Sequence, residues 1–236
     1  MQQLVLIIAC LTGTVLCITR RKQYGHSYFR MMLIFTVFSI SGSCGSHFGA
    51  LIADGLIDGR RLYGLMMADT VMLFIMAFLL RIKRRDLGDY IAPPILSSCV
   101  GAKLSCLIDG CCYGIVLFYD AKNEPVRFPS PIFEILLWVS LVFWLLKLEK
   151  KGSAKGMLWP LAMIWFGLTR FFADFLRGVP SEREGFFAGL PAGAFWSLVL
   201  TLMGLTYLFV SAKVQIGNNM SLRQYTKAIF GNLENE

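Results

Sequence analysis

Six ionisable side chains lie inside, or at the edges of, long apolar stretches of the chain. They are Asp69, Lys103, Asp109, Glu134, Arg170 and Asp174. Each isolated charge in lipid opposes insertion by about 2.5–3.5 kcal/mol, so six scattered charges would oppose it by roughly 15–20 kcal/mol. The sequence therefore predicts that these side chains pair with one another or face one polar cavity. For Asp69 and Asp109, near the ends of their segments, a structural role is favoured.

Arg170 is the residue best suited to hold a phosphate or a carboxylate, because its planar guanidinium stays charged and donates in a fixed geometry. Asp174 follows four residues later and Arg177 three residues after that, so all three share one helix face. We predict a function for Arg170 together with Glu134. The alternative is structural: Glu134 interacts with a helix dipole, and Arg170 pairs with Asp174 only to fix packing.

Three of the seven cysteines are close together, at Cys106, Cys111 and Cys112. A structural zinc site takes four ligands, usually cysteine and histidine. No second cysteine pair or neighbouring histidine completes such a set in this sequence. We therefore expect no metal site and no cofactor.

The segments that carry these residues have the composition of membrane helices. The chain is 56% hydrophobic and 16% charged, whereas a soluble domain is nearer a quarter charged. Seven apolar runs are long enough to cross a hydrocarbon core of about 30 Å. They lie near residues 2–19, 29–53, 62–80, 91–108, 131–146, 157–177 and 190–212. These runs predict an all-α, polytopic integral membrane bundle, with one transmembrane domain over residues 1–212 and a short cytoplasmic tail over 213–236.

The basic residues between the apolar runs predict the orientation of the bundle. Fifteen of them lie at 20–30, 81–85, 147–155 and 213–227, which fall on one side, against six in the loops on the other side. By the positive-inside rule the N-terminus is outside and the C-terminus cytoplasmic. The charged side chains then fall in the outer half of each segment, so a shared cavity is expected to open outward. This clustering also argues against nucleic-acid binding, although the net charge is +8.

The fourth and fifth segments have unusual proline positions. Pro93 and Pro94, several serines and Lys103 are expected to interrupt the fourth segment. Such backbone is tolerated in a membrane only where other helices cover it or where it lines a cavity. In the fifth segment, Ser130 is predicted as the N-cap and Pro131 as the first helical residue.

Three local patterns resemble those of a known family, the bacterial prolipoprotein diacylglyceryl transferases. The first joins Asp89–Pro93 (DYIAP) to Gly101–Gly114 (GAKLSCLIDGCCYG). The second is Phe128–Glu134 (FPSPIFE), and the third is Phe166–Arg177 (FGLTRFFADFLR). Their order and spacing agree with the family from about residue 30 to residue 210.

The resemblance implies a reaction in the bacterial cytoplasmic membrane. Members of this family move a diacylglyceryl group from phosphatidylglycerol to the cysteine thiol of a lipoprotein precursor, at its lipobox peptide, and release glycerol phosphate. The catalytic residues implied are Arg170, Lys103, Glu134 and Tyr63, and the substrate-binding residues are Asp109, Gly110, Gly114, Asp174 and Arg177. A departing phosphodiester needs fixed positive charge, for which Arg170 is the first candidate and Lys103 the second.

The sequence departs from the family pattern at several of these positions. Tyr63 stands at the family's histidine, and a tyrosine is a poor base at neutral pH because its reference pKa is about 10. Lys103 replaces the signature arginine, Asp174 replaces a glutamate, and Phe128 and Phe133 stand at a histidine and a tyrosine. Two alternatives to the transferase therefore stay open. One is a paralogue that binds phospholipid without turnover, and the other, less favoured, is a transporter, since only one segment is predicted to be interrupted.

Overall fold

The computed structural model describes residues 2–54, 61–110, 112–152, 154–177, 185–187 and 189–216, and its helices follow the predicted apolar runs. Seven helices lie within these ranges: α1 (Gln2–Arg20), α2 (Tyr28–Asp54), α3 (Leu62–Leu79), α4 (Arg84–Ile108), α5 (Ser130–Lys151), α6 (Leu158–Phe175) and α7 (Ala192–Ile216). The all-α fold is confirmed. Helix α7 continues four residues beyond the predicted domain boundary at 212, and the rest of the tail lies outside the described residues.

The exterior of the bundle is apolar. By length and composition, five of the described helices can cross a membrane, over Tyr28–Ile52, Leu62–Leu79, Arg84–Ile108, Ser130–Lys151 and Ala192–Ser211. Phe29, Phe78 and Phe143 are at least 69% exposed, which is unfavourable in water and favourable against lipid. The chain is therefore a multi-pass membrane protein, as predicted, while its orientation and the total of seven spans stay predictions.

Small residues allow the helices to approach closely. Helix α2 packs on α3 where Gly45 faces Gly64, and a Cβ on either glycine would collide with the backbone of the other helix. Helix α6 packs on α7 where Gly167 lies against Ser197 and Thr201. Such contacts are typical of membrane bundles, where helices associate by close van der Waals packing because lipid is as apolar as their side chains.

The prediction of an interrupted fourth segment is wrong, since α4 is one continuous helix through Pro93 and Pro94. The two prolines have no N–H to donate to the carbonyls four residues earlier, on Asp89 and Tyr90. The guanidinium of Arg20, at the end of α1, donates to both, with N···O distances of 2.7 Å to Asp89 and 2.6 Å to Tyr90. A side chain from another helix thus replaces the two lost backbone hydrogen bonds.

Two short sheets that the sequence did not predict lie in the loop after the C-terminal end of α4 and in the loop before α7. Antiparallel strands β1 (Val116–Tyr119) and β2 (Pro125–Arg127) connect α4 to α5. Strands β3 (Gly185–Phe187) and β4 (Leu190–Pro191) precede α7. The predicted N-cap of α5 is wrong by one residue: the helix begins at Ser130, and Pro129 is the cap. Proline has no side-chain acceptor for the free N–H groups of the first turn, so the helix lacks the predicted side-chain cap.

Candidate active site

Glu134 is the centre of a buried ion-pair cluster. Its Oε1 accepts from Lys103 Nζ at 2.8 Å, and its two oxygens lie 3.1 and 2.9 Å from Arg170 Nη1. All three side chains are at most 3% exposed. The predicted contact between Arg170, Glu134 and Lys103 is therefore confirmed, whereas the predicted cavity open to the outer leaflet stays a prediction.

Asp174 and Arg177 extend the cluster along the end of α6. Arg170 Nη2 lies 3.0 Å from Asp174 Oδ1, and Arg177 Nε lies 3.6 Å from the same oxygen. Arg177 Nη2 also lies 3.9 Å from Glu134 Oε1. The predicted shared helix face is correct for Arg170 and Asp174. It is wrong for Arg177, which lies two residues beyond the end of α6 in a β-bridge to Gly114. Three cations thus surround two buried carboxylates among the described residues.

Three helices carry the cluster at the same end of the bundle. Lys103 lies in the last two turns of α4, Glu134 is the fifth residue of α5, and Arg170 lies in the last two turns of α6. The carboxylate of Asp174 lies against Gly193 in the first turn of α7, where a Cβ would collide with it. The positive end of α7 therefore favours the carboxylate of Asp174.

The connection between α4 and α5 is fixed to the end of α6 by backbone hydrogen bonds. Gly114 N donates to Phe128 O at 2.8 Å, and Ile115 N donates to Leu176 O at 2.9 Å. A Cβ at Gly114 would lie 2.6 Å from Phe128 and 2.8 Å from the carbonyl of Leu176. Only glycine fits this crossing, and the crossing places Arg177 beside the cluster.

The comparisons with known proteins identify the family of the chain. The family model for prolipoprotein diacylglyceryl transferase matches residues 4–210, which include all five cluster residues.

The chain belongs to the prolipoprotein diacylglyceryl transferase family.

Its similarity to curated relatives is low in identity but long in coverage. It is 23% identical to phosphatidylglycerol–prolipoprotein diacylglyceryl transferase 2 of Clostridium perfringens, over 84% of this chain and 85% of the relative. It is 23% identical to the corresponding transferase of Clostridium tetani, over 84% of this chain and 87% of the relative. The transferase of Ehrlichia ruminantium is 30% identical over 46% of this chain and 47% of its own length.

The other residues assigned by resemblance to the diacylglyceryl transferases have different surroundings. Tyr63 is buried in α3, where its hydroxyl donates to Gly49 O at 3.3 Å and its ring stacks on Trp196. Asp109 is exposed at the end of α4 and accepts from Ser105 Oγ at 3.3 Å. Gly110 follows with a φ of +65°, a conformation that favours glycine in the turn leaving α4. Substrate-binding and catalytic roles for these three residues stay predictions.

Cys112, considered from the sequence only as a metal ligand, is a further residue near the cluster. A hydrogen bond from the Cys106 thiol and the charges of Lys103, Arg177 and Arg170 outweigh the effect of burial and lower the pKa of Cys112 to about 5. Its side chain is half-buried. The sequence signal is the cysteine group that follows Lys103 in the family's signature segment, although Cys111 lies outside the described residues.

Proposed function

We propose that this chain is a phosphatidylglycerol–prolipoprotein diacylglyceryl transferase of the bacterial cytoplasmic membrane. In this reaction the cysteine sulfur of the precursor attacks the glyceryl carbon that is bonded to the phosphate oxygen. A C–S bond forms, the C–O bond breaks, and glycerol phosphate leaves with the electron pair. The observation that carries the proposal is the buried cluster in which Lys103, Arg170 and Arg177 surround two carboxylates, while Arg170 Nε has no hydrogen-bond partner among the described residues.

Arg170 is proposed to bind the phosphate. Its two terminal nitrogens contact Glu134 and Asp174, which fix the guanidinium plane. Its Nε is buried and has no hydrogen-bond partner among the described residues, so a donor remains for a phosphate oxygen. A preorganised donor of this kind stabilises the charge that develops on a departing phosphate.

Lys103 and Arg177 are proposed to supply the remaining positive charge. Lys103 is held at Glu134 by an ion pair of 2.8 Å, and Arg177 lies at the loop crossing where the cluster meets the end of the bundle. Lysine provides a point charge in place of the bidentate geometry of the family's arginine. Arg170 is therefore the residue proposed to orient the phosphate in this chain.

The same cations offer a way to ionise the substrate thiol without the family's histidine. Together with the hydrogen bond from Cys106, they lower the pKa of the Cys112 thiol to about 5. A substrate cysteine brought beside these cations would lose its proton to solvent more readily, since nearby cations stabilise a thiolate. The thiolate is the reactive nucleophile. On this account Tyr63 orients groups but does not accept the proton.

The direct test uses purified protein, phosphatidylglycerol and a lipobox peptide. We expect a diacylglyceryl-thioether peptide by mass spectrometry together with an equal amount of released glycerol phosphate. A peptide with serine in place of cysteine should give neither product. Lys150→Gln, an exposed change at the other end of the bundle, is the control and should retain full activity. Binding of phosphatidylglycerol with no turnover would instead support the non-catalytic paralogue.

A further inference from the structure

A large cleft lies between helices α3, α6 and α7, beside the start of α4. Its volume is about 860 Å³, within the range of protein sites that bury small organic ligands. Apolar side chains form most of its walls, among them Phe74, Met163 and Leu202. Leu202 is about half exposed, so the cleft is open from the side of the bundle that faces lipid.

One end of this cleft is basic. Lys83, Arg84 and Arg85 line it, and the first two are exposed. The Arg84 guanidinium lies 5.4 Å from the ring centroid of Phe74, and Arg85 Nη2 donates to Ser211 O on α7 at 3.0 Å. The two arginines are therefore held against two different walls of the cleft. Three consecutive cations at the mouth of an apolar cleft match a ligand that has an anionic head and an apolar tail.

The cleft is separate from the ion-pair cluster around Glu134. Arg85 precedes Lys103 on α4 by 18 residues, which corresponds to about 27 Å along the helix axis. This distance is close to the thickness of a hydrocarbon core. The two sites thus lie at opposite ends of the bundle, and the basic end of the cleft belongs to the side predicted to be cytoplasmic.

We propose that this cleft is a binding site for an anionic phospholipid of the leaflet at the α3–α4 loop, distinct from the lipid consumed in the transfer reaction. The acyl chains lie along Phe74, Met163 and Leu202, and the phosphate lies at Lys83 and Arg84. Basic residues near a membrane surface are expected from topology alone. The additional observation is the apolar cleft that begins between them. Such a cleft holds the acyl chains of one lipid molecule, whereas exposed basic residues alone only attract an anionic membrane surface.

Native mass spectrometry of the purified protein in detergent tests this site, with phosphatidylglycerol and phosphatidylcholine of identical acyl chains as probes. We expect wild-type protein to bind phosphatidylglycerol at the Glu134 cluster and, in the cleft, one additional phosphatidylglycerol that phosphatidylcholine does not replace. In Lys83→Gln/Arg84→Gln the affinity for this additional lipid should fall by about 10- to 30-fold, since each basic residue contributes to anionic-lipid binding. The matched control, Lys22→Gln/Lys150→Gln, removes two exposed charges from the same side and should bind like wild type.

A second variant, Leu202→Trp, fills the cleft without a change of charge and should also lose the additional lipid. Equal binding of the two lipids by wild-type protein, or an equal loss in the control, would overturn the proposal. Loss of a dimer peak in Leu202→Trp with lipid binding intact would assign the cleft to a second copy of the chain and overturn it as well. The assay counts bound lipid and needs no turnover, so its result is independent of the proposed transferase activity.

Discussion

At the scale of single residues, Arg170 shows why charge alone does not define the site. Its fork contacts Glu134 with one terminal nitrogen and Asp174 with the other. A lysine at this position balances the carboxylates, but its single ammonium nitrogen lacks the planar fork that spans both carboxylates and leaves Nε for a phosphate. We expect Arg170→Lys to remain folded and to lose about 100- to 1000-fold in rate, the usual effect of removing a preorganised donor. The rate of glycerol phosphate release measures this loss, and a loss of less than threefold would contradict the role.

Cys112 provides a test of the charge at the site that needs no substrate. Because its pKa is lowered to about 5, the thiol is almost fully ionised above pH 6 in the folded protein. Its alkylation by iodoacetamide should therefore be nearly constant from pH 6 to 8. In denatured protein the rate should rise about tenfold per pH unit, as for a thiol with a reference pKa of about 8.5. Peptide mass spectrometry measures both rates.

A second measurement uses the Lys103→Met variant, which lacks one of the cations that lower the pKa of Cys112. The labelling rate at pH 6 should then fall while the rate at pH 8 changes less. A folded wild-type protein whose labelling follows pH as the denatured chain does would show that the cations do not ionise thiols.

Residue spacing predicted the local part of the site and not the rest. The interval between Arg170 and Asp174 defines a helix face, and the cost of isolated charge in lipid led correctly to the contact with Glu134. The ionisation of Cys112 was not predictable, because it depends on a hydrogen bond from Cys106 and on cations from two other segments. Such an effect can be evaluated only when the positions of these groups around the Cys112 thiol are known.

At the scale of helices, α4 shows how a side chain distant in sequence allows a helix to continue through two consecutive prolines. The prolines predicted an interruption, but Arg20 satisfies both free carbonyls from 69 and 70 residues away in sequence. The sequence shows that two backbone N–H donors are missing, but it does not show that the guanidinium of Arg20 replaces them. The other helix boundaries were predictable from apolar length to within two residues. The exceptions are the start of α4, seven residues before the run at 91, and the ends of α5 and α7, five and four residues past 146 and 212.

This account predicts energetic coupling between Arg20 and the two prolines. Arg20 also pairs with Glu149, so the test uses a Glu149→Gln background to avoid an unpaired buried carboxylate. In that background Arg20→Gln should lower thermal stability by about 1–3 kcal/mol per carbonyl left without a donor. Adding Pro93→Ala and Pro94→Ala restores the backbone N–H groups and should recover most of the loss. Additive effects of the substitutions in thermal unfolding would show that Arg20 does not replace these hydrogen bonds.

At the scale of the whole molecule, the two ends of the bundle have different chemistry. The Glu134 cluster and the short sheets lie at one end, and Arg20, Glu149 and the basic mouth of the lipid cleft lie at the other. The all-α fold and the grouping of charges were predictable because the bilayer restricts spanning segments to a few structures. The loop crossing at Gly114 was not, since it depends on backbone hydrogen bonds between three segments distant in sequence.

The orientation of the bundle decides which leaflet the site faces, and it is testable with two lysines. Lys122 is exposed in the turn between β1 and β2, and Lys150 is exposed near the end of α5. Helix α5, of 22 residues, spans about 33 Å between the two regions, enough to cross a hydrocarbon core. With fifteen basic residues on the Lys150 side against six on the other, the Lys122 loop should be external.

In a background that lacks the native cysteines, we expect a membrane-impermeant maleimide to label Lys122→Cys in intact cells. Lys150→Cys should be labelled only after the membrane is permeabilised. Labelling of Lys150→Cys alone from outside would show that the orientation is the reverse of the proposed one. Labelling of both cysteines from outside would show that α5 does not separate them across the membrane. The expected pattern would place the Glu134 cluster in the outer half of the membrane, and a precursor cysteine would then have to be presented to it from that side.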